Sequence, residues 1–214
     1  MVARLLNLVC RYINMPTHQI ISTSPHLAHL HIKKNPPQIM TKPETLEVWL
    51  RGPVSGVPPL LQPVAHALLQ AREELNAAMH DFPPALLNER PAGVASVGFH
   101  LQHLAGVLDR LLTYARQEAL SEQQLVDLKA ENPPLATGPD AVTQLVQRFN
   151  TGVDAALNQL KTTPEASLTE VRGVGRGQVP STLIGLLVHA AEHTTRHLGQ
   201  LLVTARWVRS IDRR

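Results

Sequence analysis

The sequence predicts an all-α protein, a four-helix bundle, on three observations. Four long stretches carry apolar residues at the 3.6 period of a helix, separated by segments rich in Gly and Pro. No stretch of useful length alternates with period two, the mark of a half-buried strand. Three Phe, two Tyr and two Trp in 214 residues leave the core to Leu, Val and Ala, which suits packed helices better than a β-sandwich.

The chain opens with a segment unlike the rest. Residues 1–39 contain Arg4, Arg11, Lys33 and Lys34 but no Asp or Glu, and show no sustained helical period. A secretory signal fits poorly, because the apolar run Leu5–Cys10 is short and Arg11 ends it. A mitochondrial-type presequence matches the absence of acids but not the weak amphipathicity. A third reading takes Met40 as the natural start. Under each, residues 1–40 are an N-terminal extension, disordered or not native to the fold, and residues 41–214 form the domain. Its histidines, His18, His26, His29 and His31, are read as incidental.

The extension also carries the basic excess. The net charge is +3, yet beyond residue 39 only 16 of the 20 basic residues remain against all 17 acidic ones, so the body sits near −1. No Lys/Arg stripe marks a nucleic-acid surface. No apolar stretch approaches the ~20 residues needed to cross a bilayer. Cys10 stands alone, which excludes an internal disulfide and a cysteine-based zinc ribbon. Any metal site must therefore use histidines and carboxylates.

The elements follow in order. Leu46–Leu50 reads as a short entry turn around Trp49, followed by a Gly/Pro loop. The first long helix opens at Pro58-Pro59, where proline is tolerated, and its stripe is Leu60, Val64, Ala67, Leu68, Ala71, Leu75 and Ala78. It ends near Phe82, ahead of Pro83-Pro84. The second runs from a candidate Ser96 cap to about Ala119, with Val97, Leu101, Leu104, Leu108, Leu111 and Ala115 on one face. Glu131-Asn-Pro-Pro134 and Thr137-Gly-Pro139 mark a loop. The third helix carries Val142, Leu145, Val146, Phe149, Val153, Leu157 and Leu160, a face for packing only. Residues 162–179 read as a long loop. Its Arg172-Gly-Val-Gly-Arg-Gly-Gln178 follows no strand and lacks the Gly-Lys-Ser/Thr ending of a phosphate loop, so it is expected to be a flexible rim over the bundle mouth. The fourth helix spans about Pro180 to Val208.

The chemistry concentrates in histidines. His189, His193 and His197 stand four apart on the fourth helix, and His100 and His103 flank the stripe of the second. Residues four apart lie one turn apart and about 40° round the helix. His189 and His197 are separated by ~12 Å, too far to share an ion easily, so one adjacent pair should supply two ligands. Either His100 or His103 could supply a third. Hydrogen-bonded histidines at the core edge are the plain alternative. It loses ground because two inward imidazoles on an apolar face cost stability unless something satisfies them, as a metal ion does. Three neutral imidazoles would leave open positions on Zn²⁺, Ni²⁺ or Fe²⁺, as a catalytic site requires. His189-Ala-Ala-Glu192-His193 also matches the inverted zincin pattern, with Glu192 as general base. That pattern needs an acidic ligand downstream, and only Asp212 follows.

Two segments resemble the DinB-like superfamily, metal-binding four-helix bundles named for damage-inducible bacterial proteins. They are Ser96-Val-Gly-Phe-His-Leu-Gln-His103-Leu-Ala and His193-Thr-Thr-Arg-His197-Leu-Gly-Gln200, and the resemblance covers about residues 45–208. It implies His103, His193 and His197 as metal ligands. His197-Leu-Gly-Gln stands where the family often has His-Arg-Gly-Gln, which leaves the ligands intact. The resemblance further implies a divalent metal, an up-down-down-up helix order and a homodimer. Members of known activity are mostly transferases or isomerases that use bacillithiol, mycothiol or glutathione, and others are described as metal-dependent hydrolases. His189 and Glu192 become candidates for groups beside the ligands, and Arg176, Arg196 and Gln200 for substrate contacts. The resulting expectation is a cytoplasmic enzyme of thiol-transferase or hydrolase type, acting on a small molecule or thiol conjugate, with no nucleic-acid or membrane partner. A non-catalytic metal-binding stress protein and a helical dimerisation module are the alternatives.

Overall fold

The computed structural model describes residues 46–131 and 133–212. The N-terminal extension read at residues 1–40, including Met40, lies outside them. Five helices and one small hairpin make up the described chain: α1 (Gln62–Met79), α2 (Val97–Ala115), α3 (Glu122–Ala130), α4 (Ala141–Thr162), β1 (Val171–Val174), β2 (Val179–Thr182) and α5 (Leu183–Asp212). Four of the helices are long, and each packs mainly against two others: α1 and α2 each lie against both α4 and α5. Among the described residues the fold is all-α apart from the hairpin.

Local chemistry explains the helix ends. Ser96 Oγ accepts a hydrogen bond from the Phe99 amide at 3.1 Å, so the expected cap of α2 forms. Gln117, with φ of 62°, ends that helix at Ala115, four residues earlier than the apolar pattern suggested. Helix α1 stops at Met79 for a similar reason, because Asp81 sits at φ 51°. Leu60, placed on the α1 stripe by its spacing, is 61% exposed. It belongs to a 3₁₀ turn, Pro59–Leu61, whose tighter winding takes it out of phase with the helix that follows.

Two elements depart from the sequence reading. Helix α3 rises within a stretch assigned no element, started by a capping box in which Ser121 and Gln124 satisfy each other's backbone amides. The long loop at 162–179 contains β1, which pairs antiparallel with β2. Its turn, Gly175–Gln178, is closed by the Gln178 amide on the Gly175 carbonyl at 3.2 Å, with Gly175 at φ 68°. Four-residue strands with Val171 and Val179 on the exposed side have no apolar alternation to detect. Arg172 anchors the hairpin: its guanidinium is buried and donates to the Ala115 carbonyl at 2.9 Å, satisfying an open end of α2. Strand β2 moves the start of α5 to Leu183, where Thr182 Oγ1 accepts from the Gly185 amide.

Leu, Val and Ala dominate the core, with Phe149 the largest wholly buried side chain. No helix among the described residues is long and apolar enough to cross a membrane. Phe149→Ala is expected to cost about 3–5 kcal/mol in urea unfolding, whereas Leu60→Ala should stay within about 0.5 kcal/mol. A large loss at Leu60 would contradict the assigned phase of the first turn.

Candidate metal centre

The packing of α2 against α5 decides where the histidines meet. On α5 the buried residues Ala190, Thr194, Leu198 and Leu201 face inward, and His193 and His197 flank that row. On α2 His103 lies between buried Gln102 and Leu104. One nitrogen from each of His103, His193 and His197 comes within 4.8 Å of the other two. The Nε2 atoms of His103 and His193 are 3.0 Å apart. Two nitrogens bound to one tetrahedral Zn²⁺ at 2.0–2.1 Å would be ~3.3 Å apart, so little movement separates the observed geometry from a coordinating one. The His197 ring centroid lies 4.4 Å from that of His103 and 4.5 Å from that of His193.

The electrostatics suit ligation. Burial, and then the neighbouring His197, His103 and His189, push the His193 pKa down to about 4. Burial and the nearby His103 also lower that of His197. Both rings are therefore neutral at pH 7 and carry the lone pairs that a cation needs. The Nδ1 of His193 is buried without a hydrogen-bond partner among the described residues. The donor set fits a divalent transition metal: nitrogen only, and drawn from two rigid helices.

Three further groups surround these rings, and only His100 among them was weighed from the sequence. His100 is only 2% exposed, and its Nδ1 faces the Nδ1 of His197 at 3.3 Å. Burial, followed by its histidine neighbours, lowers its pKa to about 4. Glu131 accepts from His103 Nδ1 at 2.8 Å with one oxygen and from Arg110 Nη1 at 2.7 Å with the other. Burial alone would raise the Glu131 pKa, but those two donors outweigh it and keep the carboxylate ionised. Glu131 lay in a segment read as loop and Arg110 within the second helix but off its named stripe, and neither spacing nor composition linked them to a site.

The remaining candidates lie at the rim or away from it. His189 is exposed; its Nδ1 is 3.2 Å from Glu192 Oε2, and its ring is 5.3 Å from that of His193. Glu192 is exposed and paired with Arg196 one turn on, and Gln200 is exposed as well. Asp212 stands fifteen residues beyond His197, ~22 Å along the same helix, so it cannot complete an inverted zincin site. Arg176 lines a cavity of about 500 Å³ with Tyr114 and Gln117. Tyr114 is ~16 Å along α2 from His103, so the hairpin is not a rim over the histidines.

A family model described as the DinB superfamily matches residues 67–201, a span that includes His103, Glu131, His193 and His197. This chain belongs to the DinB superfamily. No curated protein matches it. Family membership and the three-histidine cluster are together compatible with metal binding.

The lowered histidine pKa values set a pH dependence for the metal-free DinB-superfamily chain. Between the ordinary value of 6.5 and about 4, the unfolded chain binds protons that native His100 and His193 refuse. The stability these two rings contribute by staying neutral is therefore fully present above pH ~6.5 and lost as pH falls towards 4. Melting temperature measured in chelator should follow that course, with a shallower fall in His100→Leu. A flat profile from pH 7 to 4 would show that these rings are not buried neutral.

Proposed function

We propose that this DinB-superfamily protein is a metal-dependent enzyme in which His103, His193 and His197 hold one divalent ion. The observation that carries the reading is the convergence of three imidazole nitrogens from two packed helices. When bound, such an ion supplies Lewis-acid activation of a water or thiol at neutral pH. The three ligands are neutral, so they leave the full positive charge to act on whatever fills the open positions. Zn²⁺ is the default occupant, and Ni²⁺ and Fe²⁺ also suit imidazole.

Exposed polar groups on α5 surround the approach: His189, Glu192, Arg196 and Gln200. They are the proposed contacts for a small-molecule substrate. The resemblance to thiol-using members favours S-transfer to a thiol conjugate, with metal-dependent hydrolysis beside it. A homodimer belongs to the same reading, because Val203, Trp207 and Ile211 leave apolar surface exposed on α5. A monomeric mass in solution would remove that part.

His100 favours a second reading. As a fourth imidazole beside His197 it could help saturate the ion and leave a non-catalytic metal-binding protein. In cobalt-loaded protein, a visible spectrum perturbed by added thiol would exclude that alternative.

Protein purified without chelator should carry near-stoichiometric metal, and His193→Ala should abolish it. Stripping the ion should lower the melting temperature by about 5–10 °C, the effect of losing a ligand present at ~100 times its Kd. A metal-free wild type that also fails to take up Zn²⁺, Ni²⁺ or Fe²⁺ would refute the proposal.

A further inference from the structure

We propose that Glu131, braced by Arg110, is the positioning residue of this centre: it holds the Nδ1 proton of His103 and so presents Nε2 as a bare donor. The inference rests on the metal reading above and names the group that orients one ligand. An ionised carboxylate only accepts hydrogen bonds, so the 2.8 Å contact to Glu131 Oε2 requires a proton on His103 Nδ1. A neutral imidazole carries one proton, and Nε2, the atom facing His193, is then left with its lone pair.

The surroundings are built for this contact. Glu131 is 5% exposed and Arg110 7%, and the guanidinium, always charged, holds the second carboxylate oxygen at 2.7 Å. Arg110 follows His103 by two turns, so both project from one face of α2. Gly106 stands between them. A Cβ there would lie 2.4 Å from Glu131 Oε1 and 2.7 Å from Arg110 Nη1, so only glycine leaves the groove in which carboxylate and guanidinium meet. Glu131 itself is the C-terminal cap residue of α3, so that short helix, which buries none of its own residues, delivers a carboxylate to α2. Phe99, one turn before His103, stacks on the imidazole at 5.3 Å and 11°. Stacking fixes the plane of the ring, and the carboxylate fixes its rotation and tautomer.

Two substitutions separate orientation from folding. In Glu131→Gln the amide must turn its NH₂ either towards Arg110, losing that contact, or towards His103, where it donates to Nδ1 and favours the opposite tautomer. Gly106→Ala changes no charge or donor and displaces only the flexible ends of the two side chains. The test uses full-length, metal-stripped protein, with imidazole nitrogen NMR to read the tautomer and zinc titration to read affinity. Wild-type His103 should be protonated at Nδ1, and both variants should show a tautomer mixture and bind zinc about 10-fold or more weakly. Their metal-free melting curves show whether each variant is folded. If Glu131→Gln does not fold, the wild-type tautomer and Gly106→Ala decide. Wild-type His103 protonated at Nε2, or wild-type zinc affinity in the folded variants, would overturn the assignment. A wild type that binds no zinc yet carries the Nδ1 proton would instead sink the metal reading and leave the orienting role of Glu131 standing.

Discussion

The contact between α2 and α5 is the constraint on which the rest depends. Each helix presents histidines beside a row of Leu and Ala, and neither could assemble a site alone. His193 and His197 lie one turn apart, so a third nitrogen has to come from outside α5. Hydrophobic burial along Leu101, Leu104, Leu108, Leu186, Ala190 and Leu201 presses the two helices together. The imidazoles are drawn into the same seam, where water no longer satisfies them. The seam that stabilises the fold is thus also what makes the rings neutral and available.

That arrangement carries an energetic cost, and the structure offsets part of it locally. Unpaired buried polar groups cost stability, and a buried charge costs more unless it is paired and hydrogen-bonded. The Glu131 carboxylate meets both conditions through His103 and Arg110. His193 Nδ1 does not, and His100 is kept neutral against His197. Unsatisfied imidazoles around a common point are the signature of a site tuned for something other than maximal stability. An ion shared among them would satisfy several at once.

The supporting elements serve the same end at a distance. Arg172 ties the hairpin to the last carbonyl of α2, and Arg209 donates to the His80 carbonyl at 2.8 Å, tying the far end of α5 to the chain just beyond α1. The first limits sliding of α2 along the seam and the second that of α5 along α1; a shift of one residue would move a histidine by ~1.5 Å. Short helix α3 lies outside the main packing of the long helices; Gln124 ties it to Asp109 and Thr113 of α2, Asp127 to Arg148 of α4, and Glu131 at its end reaches His103.

Read alone, the amino-acid order determined the four long helices and the His193–His197 pair, because both are periodic signals. Leu101–Leu104–Leu108 and Phe149–Val153–Leu160 repeat at the helix period, and His193–His197 repeats at one turn beside a Gly-Gln pair. Tertiary structure decided what has no period. His103 and His100 both face α5, but His103 meets His193 and joins the cluster whereas His100 meets only His197, a choice that residue spacing left open and only the family resemblance anticipated. Glu131 reaches His103 across 28 residues of chain and Arg172 reaches Ala115 across 57, and no local pattern records contacts at that range. The hairpin was hidden for a related reason: its strands are short and half exposed, so pairing with each other, rather than hydrophobic alternation, defines them. Local rules select the element; packing selects its partners.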